Sequence, residues 1–186
     1  MNNDAARRAM SRTRRPAGRW AVAYAATFGA MVAAGAAQAA EWRLSTAGFG
    51  PARIGMTVAE AARALGVTFE GEIEDPSCGY LQPKPAIGDL SVKVANGRVV
   101  RFDIGKPGLV TLSGLGVGDS EAHVIDVLGA EAVEVTPHKY TEPEGHYLTI
   151  WSADRRRAVR FETDFGKVIG FYAGADPQVT YVEGCL

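Results

Sequence analysis

The chain has 186 residues, 47% of them hydrophobic, with 20 Lys and Arg, 21 Asp and Glu, and a formal net charge of −1. That length can bury a sizeable core in one domain or in two closely packed halves. Without residues 1–40, which hold six of the basic residues and one of the acidic ones, the net charge becomes −6, which excludes the basic footprint that nucleic acid or anionic lipid requires of a partner.

The first forty residues differ in kind from the rest. Arg7, Arg8, Arg12, Arg14, Arg15 and Arg19 precede an apolar run from Trp20 to Ala40, which ends on the small-x-small triplet Ala37-Gln38-Ala39. A basic region, an apolar region and such a triplet make a secretory signal peptide, with cleavage expected after Ala39 or Ala40 and no membrane span left afterwards. The competing reading is a retained anchor, because the run is about long enough to span a bilayer. Its Ala- and Gly-rich, weakly apolar character favours cleavage.

The next readable element is a helix starting at Thr57. Thr57 and Glu60 stand at capping-box spacing, Val58, Ala61, Ala62 and Leu65 recur at three and four residues, and Gly66 supplies the left-handed stop. Strands are expected near 67–73, 78–82, 89–95, 98–104 and 108–112. Asn96-Gly97 between two of them is a two-residue hairpin signal, since a type I′ turn needs positive φ at both central positions. The alternation Leu90, Val92, Val94, followed by Val99 and Arg101, predicts one buried and one wet face.

After the Gly-rich link "LSGLGVGDS" the pattern recurs. Ser120 caps a second helix, Val124, Ile125 and Leu128 form its apolar face, and Gly129 ends it. Strands are expected near 132–137, 146–151, 157–163, 167–173 and 178–183, with Phe165-Gly166 at the position of Asn96-Gly97 but with poorer turn chemistry. Gly55, Leu65 and Gly66 align with Gly118, Leu128 and Gly129 at a shift of 63, Tyr80 with Tyr147 at 67, and Phe102 with Phe171 at 69. Offsets that rise in order predict an internal duplication. The fold class expected is α+β, two tandem copies of a short helix followed by an antiparallel meander. Residues 41–112 and 113–186 are the two copies, packed as one domain.

The stretches Ile54-Gly55-Met56-Thr57 with Leu65-Gly66, and Val117-Gly118-Asp119-Ser120 with Leu128-Gly129, resemble the β-lactamase-inhibitor-protein family. They are also similar to the fold unit of small outer-membrane assembly lipoproteins. The resemblance runs over most of residues 48–183 and implies a fold unit, with a protein-binding role as its functional counterpart; it transfers no functional residue.

Cys78 and Cys185 lie beyond the leader. In an exported chain two cysteines are most simply one disulfide, with two free thiols or one reactive thiol as the alternatives. The most chemically dense segment is "PHKYTEPEGHY", residues 137–147, which holds His138, Tyr140, Glu142, Glu144, His146 and Tyr147. It sits where the second copy is longer than the first, and lengthened loops tolerate insertion and carry binding groups. His138, Tyr140, Glu142, His146 and Tyr147 are the candidate contact residues. Alternatives are a zinc set drawn from the two histidines and a Glu, for which the spacing lacks an H-E-x-x-H pattern, a glycosidase carboxylate pair, and a plain polar loop. Arg155, Arg156 and Arg157 form a basic cluster suited to an acidic partner or a carboxylated glycan. Glu70, Glu72, Glu74 and Asp75 form an acidic one without a calcium-loop pattern.

No catalytic signature emerges, and no cofactor is expected. The function expected is a secreted or periplasmic, non-enzymatic module that binds another extracytoplasmic protein or a cell-wall glycan, with inhibition of an extracytoplasmic hydrolase as one form. A cell-envelope assembly accessory and a small metal-assisted hydrolase are the alternatives.

Overall fold

A computed structural model of the protein describes residues 42–185. The basic leader and its cleavage point at Ala39 or Ala40 lie outside the described residues. Strands β1 (Leu44–Ser45), β2 (Gly48–Phe49) and β3 (Ala52–Arg53) make a small antiparallel sheet. Helix α1 (Val58–Leu65) leads into β4 (Thr68–Glu70), β5 (Gly79–Lys84), β6 (Leu90–Ala95) and β7 (Arg98–Ile104). Helix α2 (Glu121–Leu128) and a 3-10 turn, Ala130–Ala132, precede β8 (Glu134–Pro137), β9 (His146–Trp151), β10 (Arg157–Asp164) and β11 (Lys167–Ala175).

Local chemistry sets the helix ends. The Thr57 hydroxyl accepts from the Glu60 amide while the Glu60 carboxylate accepts from the Thr57 amide, and Gly66 sits at φ 65°. Ser120 accepts from the amide of His123 at the start of α2. Both tight hairpins carry positive φ at their two central residues: Asn96 (50°) and Gly97 (72°), then Phe165 (43°) and Gly166 (69°). Phe165 holds this conformation with its ring in solvent, 79% exposed.

The strands after α1 and those after α2 join in one antiparallel sheet of eight, ordered β4-β5-β6-β7-β11-β10-β9-β8. Its seam is β7 against β11, where Phe171 lies opposite Ile104 and Ala173 opposite Phe102. One face of this sheet, with Val92, Val94, Phe102, Phe161, Phe171 and Leu148, packs on Ala61 and Leu65 of α1, Val124 of α2, and Leu44, Phe49 and Ala52 of the small sheet in a single core.

This overturns the expected α+β class with two tandem helix-plus-meander copies. The described residues are mostly β, with eleven strands in two sheets against two helices of 8 residues each. The physical reason is the seam: pairing β7 with β11 merges the two sets of strands over one core, and the unforeseen β1–β3 sheet helps to close it. Two expected strands are also absent. Residues 108–112 run irregularly, tied to Leu44 by an isolated bridge at Thr111. Residues 178–183 join no ladder, and belong instead to a C-terminal strap, residues 176–185, that crosses the other face of the large sheet.

Candidate functional site

Strand alternation places Lys93 on β6, Arg101 and Asp103 on β7, Tyr172 on β11, Arg160 and Glu162 on β10 and Tyr147 on β9 on the face opposite the core. The sequence reads this as the wet face. In the structure it is covered: Lys93 is 0%, Arg101 6% and Arg160 8% exposed. The cover is the strap, which Cys185 anchors to Cys78 just before β5, a disulfide between residues 107 apart in sequence with Cα atoms 5.3 Å apart.

The strap is gripped mainly through its main-chain carbonyls. Arg101 Nη1 donates to the carbonyls of Gln178 (3.3 Å) and Tyr181 (3.0 Å), Arg160 Nη1 to that of Thr180 (3.1 Å), and Lys93 Nζ to that of Gly184 (3.5 Å). One aliphatic side chain is taken as well: Val179, fully buried, packs with Ala158, Tyr172 and Trp151. Gly174 on β11 makes that approach possible, because a Cβ there would stand 3.2 Å from the Cβ of Val179 and 3.0 Å from Arg101.

The cations are themselves held by rings and one carboxylate. Arg101 Nη2 pairs with Asp103 at 2.7 Å and donates to the Tyr80 hydroxyl at 2.8 Å, with its guanidinium 4.2 Å from the centre of the Tyr172 ring. Arg160 lies 4.1 Å from the centre of the Tyr147 ring, and Tyr172 donates to Glu162 at 2.9 Å. Such stacking suits guanidinium groups in a partly dry setting. Among the described residues neither Lys93 nor Arg160 makes an ion pair, and the Nε atoms of Arg101 and Arg160 have no hydrogen-bond partner. Burial, then the charge of Arg101, pulls the Lys93 ammonium below its ordinary range. Burial opposes the charge on Arg101, but the Asp103 carboxylate beside it holds the proton on more tightly than usual. Burial, reinforced by Glu162, pushes the Tyr172 hydroxyl far up, so it stays a donor. A cleft of about 530 Å³ opens beside the strap, lined by Lys93, Ser77, Cys78, Tyr181 and Glu183 among others.

The structure divides the 137–147 segment between two environments. His138 is buried, its ring centre 4.4 Å from that of Tyr147 and its Nε2 3.8 Å from Glu162. Tyr147 is buried beneath Arg160, so both belong to the covered face. Tyr140 is 63% exposed; its hydroxyl and the Lys139 ammonium both donate to Glu183 of the strap. His146 turns elsewhere, with Nδ1 3.1 Å from Glu121 of α2. Glu142 and Glu144 are exposed at the loop tip. The two histidines thus meet different carboxylates, and among the described residues no three His, Cys, Asp or Glu side chains converge as a metal site needs.

Of the Arg cluster, Arg155 lies over the Trp151 ring (4.9 Å) and bridges to Glu134 (3.3 Å), while Arg156 is exposed in the turn before β10. Lys93, Arg101, Arg160 and Tyr172 escaped sequence reading as site residues. Their one signal was a polar stripe in strong strands, which ordinarily marks a solvated face.

No protein-family model and no curated protein matches the chain. Among solved structures it is similar to an extracellular protein containing an SCP domain from Bacillus anthracis str. Ames, with a TM-score of 0.45 and 12% identity over 72% of this chain and 50% of that one. A cysteine-rich secretory protein from Staphylococcus aureus subsp. aureus Mu50 is also similar, with a TM-score of 0.36 and 11% identity over 66% and 44%. The chain spans about half the length of these structures, and likeness this distant has no bearing on its activity.

Proposed function

We propose that the protein is an exported, non-enzymatic module, secreted or periplasmic, that binds another extracytoplasmic protein. The observation that carries this reading is the exposed rim where the 137–147 segment meets the strap. Tyr140, 63% exposed, donates there to Glu183, which also pairs with Lys139, and Tyr181, 46% exposed, lies two residues before Glu183 in the strap. Tyrosines present large apolar area with a polar tip at low entropic cost, which suits a protein interface. The rim is braced from below by the His138–Tyr147 stack, so little ordering remains to be done on binding. Support for export comes from the leader of residues 1–40 and from the disulfide. Inhibition of an extracytoplasmic hydrolase is the concrete form of the proposal.

The test is affinity capture from native envelope extract with the disulfide-intact protein as bait, beside a Tyr140→Ala/Tyr181→Ala bait. A stoichiometric partner lost from the double variant is the expected result. Equal capture by both baits removes the rim from the interface.

A further inference from the structure

We infer that the outer face of the large sheet is a receptor surface for an acidic polypeptide segment, and that the strap, turned at residues 176–180, is the chain's own stand-in for that ligand. The inference rests on the binding reading above and deepens it by giving the partner segment a chemistry.

Three observations support it. First, the strap is bound as a ligand is bound: no residue of 176–185 joins the sheet ladder, and its hold on the face is cationic side chains to carbonyls with one buried valine. That mode reads a main chain plus one aliphatic side chain, with the Tyr181 ring 5.4 Å from Lys93 and the Glu183 carboxylate taken by Lys139 and Tyr140 at the rim. Second, the face offers more than the strap uses. Lys93 and Arg160 are buried without an ion pair among the described residues, and two guanidinium Nε donors are unpartnered, as is Asp103 Oδ2. Asp103 and Glu162 offset two of the three cations on the face, and the positive charge left over favours a segment that brings a carboxylate there. Third, the strap is latched at its far end by Cys78–Cys185, beside the cleft that opens onto Lys93. A dithiol opens the latch by exchange: its two sulfurs join as a disulfide, and the two electrons and two protons pass to Cys78 and Cys185 as thiols.

A tethered strap competes at high effective concentration, so its anchor must also be weakened. The full mature chain carrying Cys78→Ser, Cys185→Ser and Val179→Gly serves as the opened form, which removes the buried side chain without adding charge. The probe is a fluorescein-labelled peptide copying residues 176–185 with Ser in place of Cys, read by anisotropy. Saturable binding to the opened form, at least tenfold weaker to the disulfide-intact wild type, is expected. A single Glu scanned through positions 178–182 of the peptide should tighten binding about tenfold at one position or more, a gain that Arg160→Gln or Lys93→Gln removes, and no gain at any position overturns the acidic assignment. No binding to the opened form, or equal binding to both forms, overturns the inference.

Hydrogen exchange on the wild type guards against a misfolded variant. Reduction should speed exchange of the Val179 and Thr180 amides, which donate to the carbonyls of Ala175 at the end of β11 and of Pro177 in the strap, at least tenfold, and leave the β10–β11 ladder amides protected. Unchanged strap exchange after reduction also overturns it. Peptide binding without partner capture would reject the rim reading alone, and partner capture without peptide binding would reject this inference alone.

Discussion

Replacing Phe171 by Ala tests whether the eight strands share one core. Phe171 is fully buried on β11, opposite Ile104 of β7 on one side and Phe161 of β10 on the other, and its ring stacks on that of Phe161 at 5.6 Å. Removing a buried ring from such a site costs about 3–5 kcal/mol, of which the aromatic stack accounts for about 0.5–1.5 kcal/mol. Set against a typical total of about 5–15 kcal/mol, this is a large fraction of the stability, and it should lower Tm by roughly 10 °C. Urea unfolding, followed by fluorescence of Trp42 before β1 and of Trp151 on β9, should show one transition for both probes, at lower urea and with unchanged m. Phe165→Asn is the matched control. That ring is in solvent and Asn tolerates the left-handed backbone of the turn, so stability should stay within about 0.5 kcal/mol of wild type. A loss below about 1 kcal/mol in Phe171→Ala, or a Trp42 transition that stays put while the Trp151 transition moves, would refute the single-core argument.

Two further outcomes follow from the strap. The bond between residues 107 apart closes a long loop in the unfolded chain, so reduction should lower the unfolding free energy by roughly 4–5 kcal/mol; denaturant melts with and without dithiol that coincide would contradict the chain-entropy account. Hydrogen bonds from Lys139 and then Tyr140 hold the Glu183 carboxyl below its ordinary range, and the bond to Glu183 raises the Lys139 ammonium. The depressed carboxyl stabilises the strap–loop contact above the free Glu value of about 4.3 and is lost as pH falls through its lowered value. The raised ammonium contributes below about 10.4 and is lost as pH climbs past its raised one. Ring resonances of Tyr140 should therefore move as pH falls through the lowered carboxyl value, and Glu183→Gln should abolish this acid limb; an unchanged acid limb in that variant would assign it to another group.

The features legible in the chain alone are local. Thr57, Glu60 and Gly66 cap a helix, and Asn96-Gly97 turns a hairpin, because each depends on a few adjacent residues and on backbone sterics. The pairing of Cys78 with Cys185 was legible because two cysteines leave few choices. The tertiary structure alone decided which strands meet. Nothing near Phe102 or Phe171 in the chain announces that β7 will pair with β11, since that contact is a matter of long-range shape, and from it comes a mostly β molecule in place of two repeated units. The site was hidden for the same reason. A strand alternating Val92, Lys93 and Val94 says that Lys93 leaves the core, but not what waits on the other side. Tethered at one end to β11 and at the other to Cys78, the strap turns an expected wet face into a buried cationic one.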